Sequence, residues 1–262
     1  EKVDAYEVGL KLKGKGYSVN IAGFYNLFDN FQLNAFNGTN FQVVTLQSCK
    51  DNLNGADTDS NAATGACASN RTRPGVISKG VEIETFLKPA RDLSVNIGLT
   101  YSDTKYRRNL TGANGAPLPT TFFQLPGRQI SNAPKYVVTA GIGYTPELGS
   151  SGLTGLVYFD TRLQSDTNTG SDLDAEKIQD GFALVNGRIG VRGPSEKWSV
   201  EFFTQNIFNK KYQQIGADGP LAGSGTIRGV QSGDPIRATA NQLFIGFPGE
   251  PRTYGITVRG KF

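Results

Sequence analysis

Apolar and polar side chains trade places at every second residue along much of this chain. From Leu93 to Ser102, the residues Leu93, Val95, Ile97, Leu99 and Tyr101 alternate with Ser94, Asn96, Gly98, Thr100 and Ser102. A period of two marks a strand with one apolar and one polar face. The same rhythm predicts strands from Val3 to Lys13, Tyr17 to Phe28, Val81 to Leu87, Tyr136 to Tyr144, Leu153 to Gln164, Val185 to Arg192, Trp198 to about Gln205, and Arg252 to the terminal Phe262. That gives about nine strands and no segment with helical spacing.

The connections have a rhythm of their own. Gly14 to Gly16, Pro89 to Asp92, Pro146 to Gly152 and Gly193 to Lys197 are short turns, and they alternate with long polar stretches at about 29–75, 106–133, 165–180 and 206–250. One end of every hairpin is tight and the other extended. No apolar run approaches the roughly 18 residues of a membrane-spanning helix, so a helical membrane protein is excluded. A β-barrel is not, because lipid-facing and lumen-facing residues alternate and dilute hydropathy. The expected fold is all-β, an antiparallel transmembrane β-barrel with short periplasmic turns and long extracellular loops. Tyr6, Tyr17, Tyr101, Tyr136, Tyr144, Trp198 and Tyr254 near strand ends fit its interfacial girdles, although the general preference of Tyr and Trp for strands accounts for part of that set.

Composition narrows the partners. The 262 residues carry a formal charge of +4 with lysines and arginines scattered rather than clustered among aromatics, which argues against a nucleic-acid surface. Methionine is absent, so residue 1 is expected not to be a translation start and the chain to be processed or a fragment. Cys49 and Cys67 share one polar segment. In an oxidising compartment they pair and close a loop, worth roughly 3 kcal/mol in the chain-entropy model; two unpaired surface cysteines are the alternative.

Specific motifs go further than rhythm. Asn206-Ile207-Phe208-Asn209-Lys210-Lys211-Tyr212 at a strand exit, then Pro251-Arg252-Thr253-Tyr254-Gly255 and an aromatic end at Phe262, resemble the end of a TonB-dependent outer-membrane receptor. Asn132 to Tyr136 and Ser78 to Glu84 resemble segments of the same family. The resemblance implies that residues 1–262 are the C-terminal portion of the receptor barrel, with the N-terminal plug domain and the TonB-contacting segment lying outside this chain. It implies active uptake of a scarce large solute, namely a ferric siderophore, cobalamin or an oligosaccharide, in the bacterial outer membrane. The partners it implies are outer-membrane lipid, the TonB complex through the plug region, and the barrel-assembly machinery, which would read Tyr254, Ile256, Val258 and Phe262 as its signal.

Catalysis finds no foothold. With no histidine, Ser-His-Asp and Cys-His nucleophile systems and His-ligated metal sites cannot be built. Gly75 to Gly80 has the glycine spacing of a phosphate loop, but Val81 stands where the lysine belongs. Neither enzymatic activity nor a cofactor is expected. Glu82 and Glu84 project to one side of a strand, and Asp160, Arg162, Arg188, Arg192 and Arg259 share lumen-facing parities. Ordinary lumen polarity explains them, with plug or pathway contacts as the functional alternative. Among loop aromatics, Phe41, Phe122, Phe123, Phe244 and Phe247 are candidates for capturing a small-molecule or oligosaccharide ligand, and loop packing is the competing explanation.

Two other functions suit parts of this pattern: a passive pore or adhesin without a plug, and a secreted β-sandwich that binds glycans. The intact mass of the native polypeptide, extracted in detergent from outer membranes, separates them. A species several times the 28.2 kDa of this chain is expected, and one near that mass would contradict the receptor reading.

Overall fold

The structure, a computed structural model, describes residues 1–36, 40–53, 66–118, 122, 124–219 and 243–261. Phe123 and Phe262, both singled out above, lie outside the described residues. In chain order the strands begin with β1 (Lys2–Gly14), β2 (Tyr17–Asp29), β3 (Phe31–Phe36), β4 (Phe41–Cys49), β5 (Thr72–Pro74) and β6 (Val76–Ala90). They continue with β7 (Leu93–Tyr106), β8 (Leu110–Thr111), β9 (Tyr136–Tyr144), β10 (Glu147–Leu148), β11 (Leu153–Gln164) and β12 (Thr167–Asn168). The remainder are β13 (Ile178–Gln179), β14 (Phe182–Arg192), β15 (Trp198–Gln205), β16 (Gln213–Asp218), β17 (Phe244–Pro248) and β18 (Thr253–Gly260).

The long strands make one wall, paired in the order β1, β2, β6, β7, β9, β11, β14, β15, β18, every neighbour antiparallel. These are the nine strands that alternation predicts. Register then decides what each face looks like. Leu10, Ile21, Ile83, Leu99, Val138, Leu163 and Ala183 stand opposite one another across seven strands, all on one face. Parallel rows hold Leu87, Val95, Ile142 and Phe159, and Val157, Ile189, Phe202 and Ile256. A shift of one residue in any pairing would break this belt, so the apolar pattern fixes the register.

Among the described residues no second sheet covers the belt. Val8 is 76% exposed, Leu10 54% and Ile256 69%. An apolar face of this extent is what a transmembrane barrel strand turns toward hydrocarbon. In the sandwich alternative the same positions would be covered as core. The opposite face runs Asn20, Glu84, Gly98, Thr139, Arg162 and Leu184 in one row, mostly polar and facing the lumen.

The core lies elsewhere, in the loops at the extended end. Sequence pattern leaves 29–75 and 206–250 as irregular, but β3 and β4 form a hairpin, β5 and β8 add to β4, and β16 pairs with β17. All of these strands but β4 have six residues or fewer, too few for a period of two to stand out from the irregular sequence around them. Their apolar side chains meet in a cluster of Leu33, Leu46, Val76, Tyr106, Leu110, Leu118, Phe122, Leu125 and Leu173, drawn from three of the long loops and the strand ends beside them.

The belt makes a mutational prediction. Lysine at Ile97 or Leu99 should cost about 2–4 kcal/mol in lipid, whereas Thr100→Lys on the polar face should stay within about 0.5 kcal/mol. Denaturant unfolding from phospholipid vesicles measures the difference, and equal costs on both faces would refute the lipid-facing assignment.

Candidate functional site

Three groups of side chains stand out at the extended end and on the inner wall. The first ties the loops together. Cys49 and Cys67 form a disulfide with Cα atoms 5.8 Å apart. Gly115, at φ +80°, packs its backbone against the Cys67 carbonyl, where a Cβ would collide. Asp51 and Arg71 pair beside the bridge through two contacts, at 2.5 and 3.1 Å.

The second group is a buried ionic knot. Lys177, 2% exposed, donates to Asp172 at 2.5 Å and Asp218 at 2.6 Å, with Asp174 at 3.5 Å and the Phe244 ring centroid 5.5 Å away. Gln124 donates to Asp174 at 2.7 Å, so loops 106–133, 165–180 and 206–250 all meet here. The three carboxylates offer oxygens within 4.8 Å of one another, a nest for a cation, and the lysine ammonium occupies it. Burial and the neighbouring Asp172 carboxylate push Asp218 up to about 7. Burial also pushes Asp172 up, but the hydrogen bond with Asp218 and the Lys177 ammonium outweigh it and hold Asp172 below the usual range. Lys177 is raised because the carboxylates outweigh its burial.

The third group lines a cavity of about 280 Å³ where the inner wall meets the loops. Arg162 and Gln164 enter from β11, Phe182 from β14, and Tyr212 and Gln213 from the chain leading into β16. Phe182 and Tyr212 stack with centroids 4.6 Å apart and planes at 29°. The Gln213 amide donates to Thr169 Oγ1 at 2.7 Å, and its backbone N–H to Gln179 Oε1 at 2.7 Å. A guanidinium fork, several amides and an aromatic pair suit a polar ligand carrying negative charge and a flat group.

The sequence candidates distribute unevenly over these groups. Arg162 is in the cavity; Glu82, Glu84 and Asp160 lie on the same polar face, with Asp160 accepting from Asn186 at 2.8 Å. Arg188, Arg192 and Arg259 gather near the tight-turn end of the wall, around Glu201. Phe122 is fully buried in the loop core, so it is a packing residue and not a surface that a ligand meets. Phe41 is partly exposed and packs on Phe36 at 5.4 Å, Phe244 covers Lys177, and Phe247 is exposed on the β17 strand. Sequence reasoning missed Phe182, Tyr212, the Lys177 knot and Glu201. Glu201 has the parity of a lumen residue on β15 and was legible; the others depend on loop contacts that no local spacing encodes.

A family model for the β-barrel of TonB dependent receptor-like proteins matches residues 1–207. The ferric-pyoverdine M114 receptor PbuA of Pseudomonas sp. (strain M114) is 23% identical over 264 residues, which cover 98% of this chain and 24% of that protein. Among solved structures, the ferric yersiniabactin uptake receptor FyuA from Yersinia pestis superposes with a TM-score of 0.62 at 14% identity, over 99% of this chain and 30% of its own. The siderophore receptor PiuA from Acinetobacter baumannii gives 0.58 at 12%, over 98% and 28%. This chain therefore spans less than a third of the length of each.

The knot predicts a pH dependence. A carboxyl raised to about 7 in the fold contributes stability that is full below its ordinary value of 3.8 and lost as pH rises through about 7. The depressed Asp172 acts oppositely, losing its contribution as pH falls below its ordinary value of 3.8. Amide exchange in 165–180 and 213–218, corrected for intrinsic rate, should therefore be slower at pH 6 than at pH 8. Asp218→Asn should flatten that dependence, and Lys177→Met should loosen both segments by about 3–5 kcal/mol by stranding the carboxylates.

Proposed function

The chain belongs to the TonB-dependent receptor β-barrel family, and from that premise we propose that residues 1–262 are the C-terminal wall and loops of an outer-membrane receptor that imports a ferric siderophore. The family consists of outer-membrane receptors and transporters and not of enzymes. Membership supports uptake. The choice of a ferric chelate over cobalamin or an oligosaccharide rests on the relatives' ligands and on one observation, the cavity that sets Arg162 beside the Phe182–Tyr212 stack.

The mechanism follows from the architecture. Ligand arriving from outside meets the loop layer, whose core, disulfide and ionic knot hold the cavity walls in place before binding, so little ordering entropy is lost on contact. Arg162 supplies charge-assisted hydrogen bonds to an anionic chelate and the aromatic pair supplies a flat apolar surface. The plug, outside these residues, would complete the site from below and be drawn aside when energised TonB pulls on it. Lipid covers the belt, and the barrel-assembly machinery would engage Tyr254, Ile256 and Val258, all exposed on the outer face of β18, the last wall strand of the chain.

Uptake of radiolabelled iron by iron-starved cells tests the proposal. A panel of ferric siderophores should include one whose uptake needs this receptor and the proton gradient. Arg162→Gln, with surface levels unchanged, should weaken binding of that chelate about 10–100-fold, the loss of one hydrogen-bonded charge contact. Uptake that ignores the gradient, or binding indifferent to Arg162, Phe182 and Tyr212, would overturn it.

A further inference from the structure

Two arginines on the outer surface of the wall carry buried donors without an acceptor. Arg73 of β5 and Arg107, the residue after β7, each hold a guanidinium Nε that is buried and makes no hydrogen bond. Burial and the Arg73 charge beside it hold Arg107 below its usual value, while the Tyr25 hydroxyl acts the other way. Adjacent cations with buried donors call for an anion between them.

Register shows which face they occupy. Tyr6, Tyr25, Lys79 and Asp103 stand opposite one another across β1, β2, β6 and β7, on the parity of the lipid-facing belt. The next row toward the loops holds Leu27, Ile77 and Lys105. Arg107 lies two residues beyond Lys105, its N–H donating to the Gly75 carbonyl at 2.9 Å, and the pair between, Val76 and Tyr106, turns inward to the loop core. Arg107 therefore points outward, where it meets Tyr25. Nearby carboxylates are engaged elsewhere: Asp103 with Lys105 at 2.8 Å, Asp4 with Lys2 at 3.0 Å, and Asp29 accepting from the Gln47 amide at 3.3 Å. Among the described residues no carboxylate pairs with Arg73, Arg107 or Lys79.

We propose that Arg73, Arg107 and Lys79 bind a phosphate of an outer-leaflet lipid whose acyl chains lie on the belt below. The cluster is on the belt's side of the wall, out of reach of anything in the lumen. Tyr6 and Tyr25, 62% and 39% exposed, stand at the edge of the belt as interfacial aromatics do. Cations immediately beyond that edge are at the height of lipid headgroups, and basic clusters there recognise anionic ones. A tetrahedral phosphate offers oxygens to two guanidinium forks and an ammonium at once, whereas one carboxylate has only two to share. The inference depends on the belt facing lipid and not on which solute is imported.

The test uses the native full-length receptor, stripped of lipid in a neutral detergent and placed in phosphatidylcholine nanodiscs. Bisphosphorylated lipid A is the probe, and native mass spectrometry reads how tightly the receptor retains it. The double variant Arg73→Gln/Arg107→Gln should retain it about 10–100-fold more weakly than the wild type. Lys79→Gln, a change at an exposed position, should weaken it by a smaller factor. Arg91→Gln, which removes an equal charge from an exposed pair at the tight-turn end, should leave retention unchanged. Equal retention by the wild type, the double variant and Lys79→Gln would overturn the proposal, as would equal retention of lipid A stripped of its phosphates. Release of bound lipid A by millimolar inorganic phosphate would overturn it too, by making this a site for the free ion.

Discussion

Hydrocarbon offers no water to an unpaired peptide group, and that constraint shapes the whole chain. Each N–H and C=O at membrane depth must find its partner within the protein. Between its two edge strands, β1 and β18, the described wall meets it with a continuous series of antiparallel ladders, and long strands such as β6, at 15 residues, run past the lipid into the loop layer. Because the ladder fixes side chains at a period of two, lipid can select one parity and the lumen the other. The rows from Leu10 to Ala183 and from Asn20 to Leu184 are the outcome of that sorting.

The same constraint explains what could be read from the sequence. Lipid acts on every wall strand independently of its neighbours, so Leu93 to Tyr101 declares its faces without knowledge of β6 or β9, and the nine wall strands are legible one by one. The loop layer answers to a different rule. Above the lipid, water can satisfy irregular backbone, and order comes from contacts distant in sequence. Lys177 draws partners from residues 172, 174 and 218, and Tyr212 finds Phe182 thirty positions away in chain terms only after β14 and β16 are placed. Phe122 sits in a polar-looking stretch yet fills the loop core, because Leu46, Leu110 and Leu125 arrive from elsewhere. Local pattern carries no trace of such meetings.

Function divides along the same axis. The loop layer, fixed by a disulfide, an apolar cluster and a buried ion cluster, presents Arg162 and the aromatic pair at one end of the lumen. The arginines around Glu201 sit at the other. The mostly polar face between them carries Glu82 and Glu84 on β6, Asp160 and Arg162 on β11, Arg188 and Arg192 on β14, and Arg259 on β18.

The sorting of side chains on the wall turns on which medium each face touches. Spin labels placed one at a time from Val95 to Thr100 of β7, in the native receptor reconstituted into phospholipid vesicles, report that directly. Collision with oxygen, which concentrates in lipid, should peak at Val95, Ile97 and Leu99, and collision with a water-soluble nickel chelate should favour the positions between them. Oxygen access without alternation, or apolar positions closed to both probes as in a protein core, would contradict the lipid-facing wall.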